Sequence, residues 1–268
     1  MLGDRTTLGT VKLLQTASEL TPHYGGIFVP TMGALHDGHA ALIRAACSLR
    51  DRQTSLPRPP VIVSVFVNRT QFNDAADYTR YPKTLDRDAE ICAAAGADVI
   101  FAPEPEVVYP LGEIVAVPPL PAVATQPGLE DSLRPGHFAG VCQVVNRLFA
   151  LVRPAHAMFG EKDWQQLRVI AAMSKELKLA VTIHAVPTIR ESDGLAMSSR
   201  NRFLSEPERI AAPAVYRALA AAQTYRNTRE AERAMQTVLT AAGLEVQYAV
   251  VRDAQSLLPV ALAGGAGS

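Results

Sequence analysis

The amino-acid sequence predicts an α/β fold, a parallel sheet with helices on both faces, and three observations predict it. Runs of strand length, rich in Val and Ile, recur along the first two thirds of the chain. They alternate with longer segments of helical period, from residue 8 to about residue 186. The 268 residues are 48% hydrophobic, enough to bury a substantial core. Strand and helix in alternation imply right-handed crossovers and parallel neighbours.

In chain order, Leu8–Leu20 reads as an amphipathic helix, and Ile27–Pro30 as the first strand. Gly38–Leu49 follows as a helix with Leu42, Ala46 and Leu49 on one face. The proline-rich connector Asp51–Pro60 leads to a strand at Val61–Asn68. Leu85–Ala95 is a helix and Asp98–Ala102 a strand. Gly112–Pro135 carries five prolines and reads as an irregular excursion that could cover a site. Phe138–Val152 (helix), His156–Phe159 (strand), Asp163–Leu179 (helix) and Val181–Val186 (strand) complete a first domain, residues 1–186. Beyond it the pattern becomes helix-rich, with Glu206–Arg217 and Thr228–Ala242, then a strand at Glu245–Val251. This predicts a smaller α+β second domain, residues 187–268, ending in the flexible tail AGGAGS.

Lys plus Arg and Asp plus Glu each number 26, so the formal charge is zero and no basic run points to nucleic acid. Cys47, Cys92 and Cys142 lie far apart without a CxxC pair, which suggests neither a disulfide framework nor a zinc site. The N-terminus lacks the pattern of a secretion signal and no apolar run reaches membrane-spanning length. A soluble, cytoplasmic protein with neither nucleic-acid nor membrane partners is expected.

In parallel α/β sheets ligands bind beyond the carboxyl ends of strands, so the loops that follow strands are where chemistry is sought. VPTMGALHDGH places Gly33, Gly38, His36 and His39 between a strand and a helix start. Backbone N–H groups and the helix dipole there make an anion site, and the imidazoles add donors for phosphate oxygens. The plain alternative is that the histidines cap the helix. FGEKDWQQL repeats the arrangement: Gly160 allows close approach, Lys162 offers a point charge and Asp163 an acid at a helix N-terminus. Alone it reads better as a capped surface turn, with Gln165 and Gln166 on the surface. In GLAMSSRNRFLS two serines and Arg200 can grip phosphates, or form a mere linker. In VSVFVNRTQFN the amides of Asn68 and Gln71 can read hydroxyls and a carboxylate on a small substrate, or cap the turn.

In order, PTMGALHDGH, FVNRTQF, YPKTLDRD, RPGHFAGV, FGEKDWQQL and MSSRNRFLS resemble the pantoate:β-alanine ligase (pantothenate synthetase) family, from about residue 10 to about residue 253. The resemblance implies a Rossmann-like ATP domain of the HxGH nucleotidyltransferase type, a smaller C-terminal domain that closes over ATP, and a homodimer. It implies condensation of (R)-pantoate with β-alanine through a pantoyl adenylate, with ATP as substrate and Mg2+ carried on its phosphates rather than held at a protein metal site.

By motif position, Met32, Gly33, Ala34, Leu35, His36, Asp37, Gly38 and His39 are implied to line the ATP site, with His39 as proton donor and His36 its companion at the phosphates. Gly160, Glu161, Lys162 and Asp163 are implied to bind ribose and phosphate, Ile189 to contact adenine, and Met197, Ser198, Ser199 and Arg200 to close on the nucleotide. Gln71 and Gln166 match the pantoate-binding glutamines, and Gln71 also the β-alanine position.

Three positions depart from the family pattern. Arg69 replaces a usual proline and is expected to put a mobile cation beside the pantoate site. Ala139 replaces a usual arginine, and the sequence stops after LLPVALAGGAGS where family members continue, leaving completeness of the second domain open. Two other functions compete: a nucleotidyltransferase that activates another small acid, and a catalytically weakened nucleotide-binding protein.

Overall fold

The computed structural model describes residues 7–8 and 11–260. Its strands are β1 (Thr7–Leu8), β2 (Val11–Leu14), β3 (Ile27–Thr31), β4 (Val61–Val65), β5 (Val99–Phe101), β6 (His156–Gly160) and β7 (Thr182–Val186). They form one sheet in the order β1-β2-β5-β4-β3-β6-β7, parallel throughout except for the short β1–β2 pair. The Rossmann-like α/β expectation therefore holds.

The helices are α1 (Asp37–Arg52), α2 (Ala75–Arg80), α3 (Leu85–Ala95), α4 (Pro105–Val108), α5 (Glu130–Leu133), α6 (His137–Val152), α7 (Trp164–Glu176), α8 (Glu206–Ala211), α9 (Ala214–Ala222) and α10 (Thr228–Ala241). Strand periodicity sends successive side chains to opposite faces. Ile27, Val29, Val61 and Val63 join Ile43 and Ala46 of α1 and Ala89 and Cys92 of α3 in one core. Phe28 and Ile62 join Leu148 and Val152 of α6 and Ile170 and Met173 of α7 in the other. Each fully buried side chain of this size is worth roughly 1.5–3 kcal/mol.

From β3 the chain winds outward through β4 and β5, then reverses to β6 and β7, so the order switches between β3 and β6. Those two strands pair only at Ile27↔His156 and Phe28↔Ala157. Beyond that point β3 continues against β4 as far as Thr31, and β6 against β7 as far as Gly160. Their carboxyl ends part, and a crevice opens at the switch point.

The helix expected at Leu8–Leu20 is instead β2 followed by a 3-10 turn, Ser18–His23. Val11 and Leu14 are completely buried in the slot beside β5, and this sheet pairing outweighs a helix-like spacing of leucines. Glu19 accepts from the N–H groups of Gln15 and Thr16 and ends the strand. The helix expected over Glu206–Arg217 breaks at Pro213 into α8 and α9, because proline lacks the N–H that would continue it. Glu245–Val251 forms no strand: among the described residues it has no neighbour to pair with, only an isolated bridge at Arg252↔Pro259. The tail AGGAGS lies outside the described residues.

α6 anchors the excursion and α4 just before it. Gln143 Nε2 donates to the Val115 carbonyl at 2.6 Å, and Arg147 Nε to that of Val108 at 2.9 Å. At the other end of α6, Gly140 lies against the turn Arg69–Gln71, and a Cβ there would stand 2.4 Å from the Thr70 carbonyl oxygen. Gly140→Ala is therefore expected to cost about 1–3 kcal/mol by overpacking. Thermal unfolding checks it; an unchanged melting temperature would show that the turn gives way freely.

Candidate active site

A cavity of about 220 Å³ occupies the crevice between the parted ends of β3 and β6. Most of the residues singled out in the sequence meet there. Met32, His36, Gly38, His39, Asn68, Gln71, Gly160, Lys162, Asp163, Gln166, Ile189, Met197, Ser198, Ser199 and Arg200 all line it. Gly33, Ala34, Leu35, Asp37 and Glu161 do not. Asp37 points into solvent in the first turn of α1, where the helix dipole favours an acid.

At the mouth of α1 the capping reading of the histidines is realised, and both residues also line the cavity. His36 is the N-cap, its Nδ1 accepting from Gly38 N–H at 3.1 Å, while His39 Nδ1 accepts from His36 N–H at 3.3 Å. A ring nitrogen that accepts carries no proton, so each neutral imidazole keeps its N–H on Nε2. Burial, then the neighbouring His36, then Lys162 push the His39 pKa down to about 3. Burial and Lys162 push His36 down as well. At neutral pH both rings are uncharged donors.

The backbone does not supply the anion site expected of this loop. Gly33 N–H donates to Thr31 Oγ1 at 3.2 Å, and those of Ala34 and Leu35 donate to the Asp88 carboxylate at 3.1 and 2.8 Å. With those of His36 and Gly38 also engaged, the loop turns side chains to the cavity: two imidazoles, with Lys162 and Arg200 across from them. Gly33 at φ 80° and Ala34 at φ 50° both adopt left-handed backbone, which for Ala34 costs on the order of 1–3 kcal/mol.

Both cations are held by carboxylates. Lys162 Nζ lies 3.2 Å from Asp163, and an Arg200 guanidinium nitrogen lies 2.8 Å from Asp77 of α2, with the guanidinium over the Tyr81 ring. Both pairs are partly exposed, and such pairs contribute little, roughly 0–1 kcal/mol. Exchange of either carboxylate for a phosphate is thus easy.

Asn68 also lines the cavity; it is 1% exposed, with both ends of its amide hydrogen-bonded within the protein. Its Oδ1 accepts from Tyr109 Oη at 2.8 Å and Thr70 Oγ1 at 3.2 Å; its Nδ2 donates to the Gly140 carbonyl and to Gln71 Oε1, each at 3.2 Å. Gln71 Nε2 contacts Met32 Sδ at 3.0 Å, and the Gln71 carbonyl lies 2.8 Å from His137 Nδ1. Arg69 does not line the cavity. Its guanidinium stacks 5.3 Å from the Tyr78 ring centroid, so the mobile cation expected beside the site is parked on α2.

Sequence reasoning missed Asp88, Tyr81, Tyr109 and Asp77, and placed Gln165 on the surface. Gln165 is buried and binds the Val123 carbonyl, Asp131 and Glu130 N–H, tying the excursion to α7. Asp88 carried a readable signal, an acid on the otherwise apolar stripe of Leu85, Ala89, Cys92 and Ala95.

Comparison with known proteins agrees with the geometry. The profile of the family described as pantoate-beta-alanine ligase matches residues 7–264. A pantothenate synthetase from a Nocardioides species is 49% identical over 84% of this chain and 67% of its own length. One from Cereibacter sphaeroides is 46% identical over 89% of this chain and 84% of its own. The pantothenate synthetase structure from Thermus thermophilus superposes with a TM-score of 0.85 at 42% identity, covering 92% of this chain and 89% of its own. The pantoate-beta-alanine ligase structure from Francisella tularensis, a complex with beta-gamma ATP and beta-alanine, gives 0.70 at 33% identity over 86% of each chain.

Neutral histidines make stability depend on pH. In the unfolded chain His39 takes a proton near its ordinary value of 6.5, whereas the fold resists until about 3. The unfolded state therefore binds more protons between these values, and stability falls as pH drops through that window, by at most about 1.4 kcal/mol per pH unit for one group. Above it the contribution is constant. Melting temperatures from pH 7.5 to 4.5 are expected to fall, and less steeply in His39→Asn, whose amide oxygen can still accept from His36 N–H.

Proposed function

The chain belongs to the pantoate-beta-alanine ligase family, and from that premise we propose how its cavity divides the work of the reaction. The enzyme is an ATP-dependent ligase that condenses pantoate with β-alanine through a pantoyl adenylate. A pantoate carboxylate oxygen attacks the α-phosphorus, and the bond to the leaving pyrophosphate breaks. The amine of β-alanine then attacks the acyl carbon, loses a proton, and AMP departs with the carbon–oxygen bond pair.

In our reading ATP lies along the wall built by α1, the Gly160–Asp163 turn and Met197–Arg200, with adenine near Ile189. His36 and His39 donate from Nε2 to phosphate oxygens, while Lys162 and Arg200 leave their carboxylates for the triphosphate. These donors are fixed before charge develops on the leaving group, the arrangement that lowers a barrier without reorganisation. His39 acts here first as a neutral donor; a bound polyphosphate would have to raise its basicity before it could serve as an acid. Gln71 and Gln166 bind pantoate on the facing wall, and Gln71 then meets β-alanine.

Mg2+ neutralises charge on the phosphates it arrives with. Asp163, the carboxylate among the residues that line the cavity, is the one that could approach an ion brought by the nucleotide.

What carries this reading is one observation: His36, His39, Lys162 and Arg200 line the same cavity as Gln71 and Gln166, and Gln71 Nε2 meets Met32 Sδ at 3.0 Å. ATP–pyrophosphate exchange tests it. Exchange is expected only when pantoate is added, and Lys162→Ala or His39→Ala should lower it by about 10²–10³. Exchange that ignores pantoate, or that another small acid supports better, would reassign the substrate. Arg69→Pro is expected to leave the pantoate KM within about twofold, since the stacked guanidinium makes no cavity contact.

We further propose a homodimer and two unequal domains divided near residue 187. Support for the dimer comes from Leu111, just before the proline-rich excursion, and Ile114 within it, 87% and 96% exposed. The division is supported by α9 and α10, which bury Ala214, Ala218, Ala231 and Met235. Cys47, Cys92 and Cys142 are all free, in keeping with a reducing, cytoplasmic setting, and no described helix is long and apolar enough to cross a membrane. Ile114→Asp is expected to halve the mass measured by light scattering; an unchanged mass would move the interface elsewhere.

A further inference from the structure

The Asp88 carboxylate is completely buried, yet among the described residues it forms no ion pair. A buried charge survives only when hydrogen bonds replace its water. Its Oδ2 accepts from Ala34 N–H at 3.1 Å, and its Oδ1 accepts from Leu35 N–H at 2.8 Å and from Thr84 Oγ1 at 3.1 Å.

Two successive N–H groups turned toward one anion form the concavity that elsewhere receives a phosphate. Here the left-handed Gly33 and Ala34 turn them away from the cavity, and the protein's own carboxylate fills the place. The fit is close: a Cβ on Gly33 would lie 3.0 Å from Asp88 Oδ2 and 3.0 Å from Val65 Cγ1. The next residue is His36, whose N–H fixes His39 and whose ring caps α1.

We propose that Asp88 is the positioning residue of the ATP site: it locks the Gly33–Leu35 turn from behind, so that the imidazoles of His36 and His39 present their Nε2–H groups at the phosphate position. The inference rests on the reading of this cavity as the ATP site. It assigns no contact between Asp88 and substrate. It also predicts unequal effects on the two substrates, since Gln71 is held chiefly by Asn68 and His137, which do not touch Asp88, and meets the locked loop only at Met32 Sδ.

The test is pantoate-dependent ATP–pyrophosphate exchange by Asp88→Asn, measured below its melting temperature. The amide keeps the size, but its oxygen can accept only one of the two N–H bonds while its NH2 opposes the other. KM for ATP is expected to rise about tenfold or more, with kcat falling up to about 10², the scale of an ångström's misplacement. KM for pantoate should stay within about threefold. Ala34→Gly added to Asp88→Asn should recover part of the ATP affinity, because glycine adopts the left-handed turn without enforcement.

A lower melting temperature with both KM values unchanged, or equal losses for ATP and pantoate, would overturn the proposal. Should Asp88→Asn not fold, Thr84→Val decides: it removes one donor to the carboxylate, and a selective rise in KM for ATP of about twofold or more is expected, while no rise overturns the idea. Wild-type exchange that fails to depend on pantoate would instead strike the reading of the site, so the two failures are distinguishable.

Discussion

Everything about this site depends on the parting of two neighbouring strands. β3 and β6 share only two residue pairs before each turns to its other neighbour, and the crevice between them is what the loops after them can line. The parting is held open by packing. Val29 and Met158 remain in the core under α1, while Phe28 and Phe159 remain in the core under α6 and α7, so neither strand can swing across without emptying a core position. An emptied position of that size costs about 2–5 kcal/mol, more than any single contact across the crevice returns. The cavity is therefore a property of the cores beneath it and exists before a ligand arrives.

Within that frame, rigid and exchangeable groups are kept apart. The histidines are fixed by backbone hydrogen bonds and by a loop whose own N–H groups are occupied, and Gln71 is fixed by Asn68 and His137. Lys162 and Arg200, by contrast, hang on partly exposed carboxylates. Neutral donors that cannot move suit a transition state whose charge grows in one place. Mobile cations suit a triphosphate that must enter and a pyrophosphate that must leave, because each can fall back onto Asp163 or Asp77 instead of standing uncompensated.

Much of this could be read from the sequence, and the failures share a cause. The strands at residues 27, 61, 98 and 156 announce themselves because burial on both faces demands largely apolar residues, whereas β7 at the sheet edge, mostly part-exposed, is marked by its β-branched residues. The loop motifs could be placed because they follow those strands. β2 was hidden because four residues are too few to show a period, and what makes them a strand is Val99–Phe101, far along the chain. Asp88 stood out as an acid on an apolar stripe, but what it accepts from was hidden for a related reason: its N–H donors lie 54 and 53 positions earlier. HDGH was seen at once, and the cap that the structure shows leaves the ligand reading available. A ring has two nitrogens; Nδ1 caps and Nε2 is left for the cavity.

Arg69 shows how a departure from a family pattern can be absorbed. A proline at that position would hold Asn68 extended and restrict the unfolded loop, which is worth about 0.4–1 kcal/mol. Asn68 is extended without it, at φ −82° and ψ 109°. Tyr109 and Gly140 grip its amide from two elements, and hydrogen bonds of that kind contribute about 1 kcal/mol each, enough to offset the missing ring. The arginine that replaces proline is removed from the cavity by Tyr78, which itself packs on Phe72, and Phe72 on Tyr81 beneath Arg200. One aromatic row thus holds a cation at each end, and of the two only Arg200 lines the cavity.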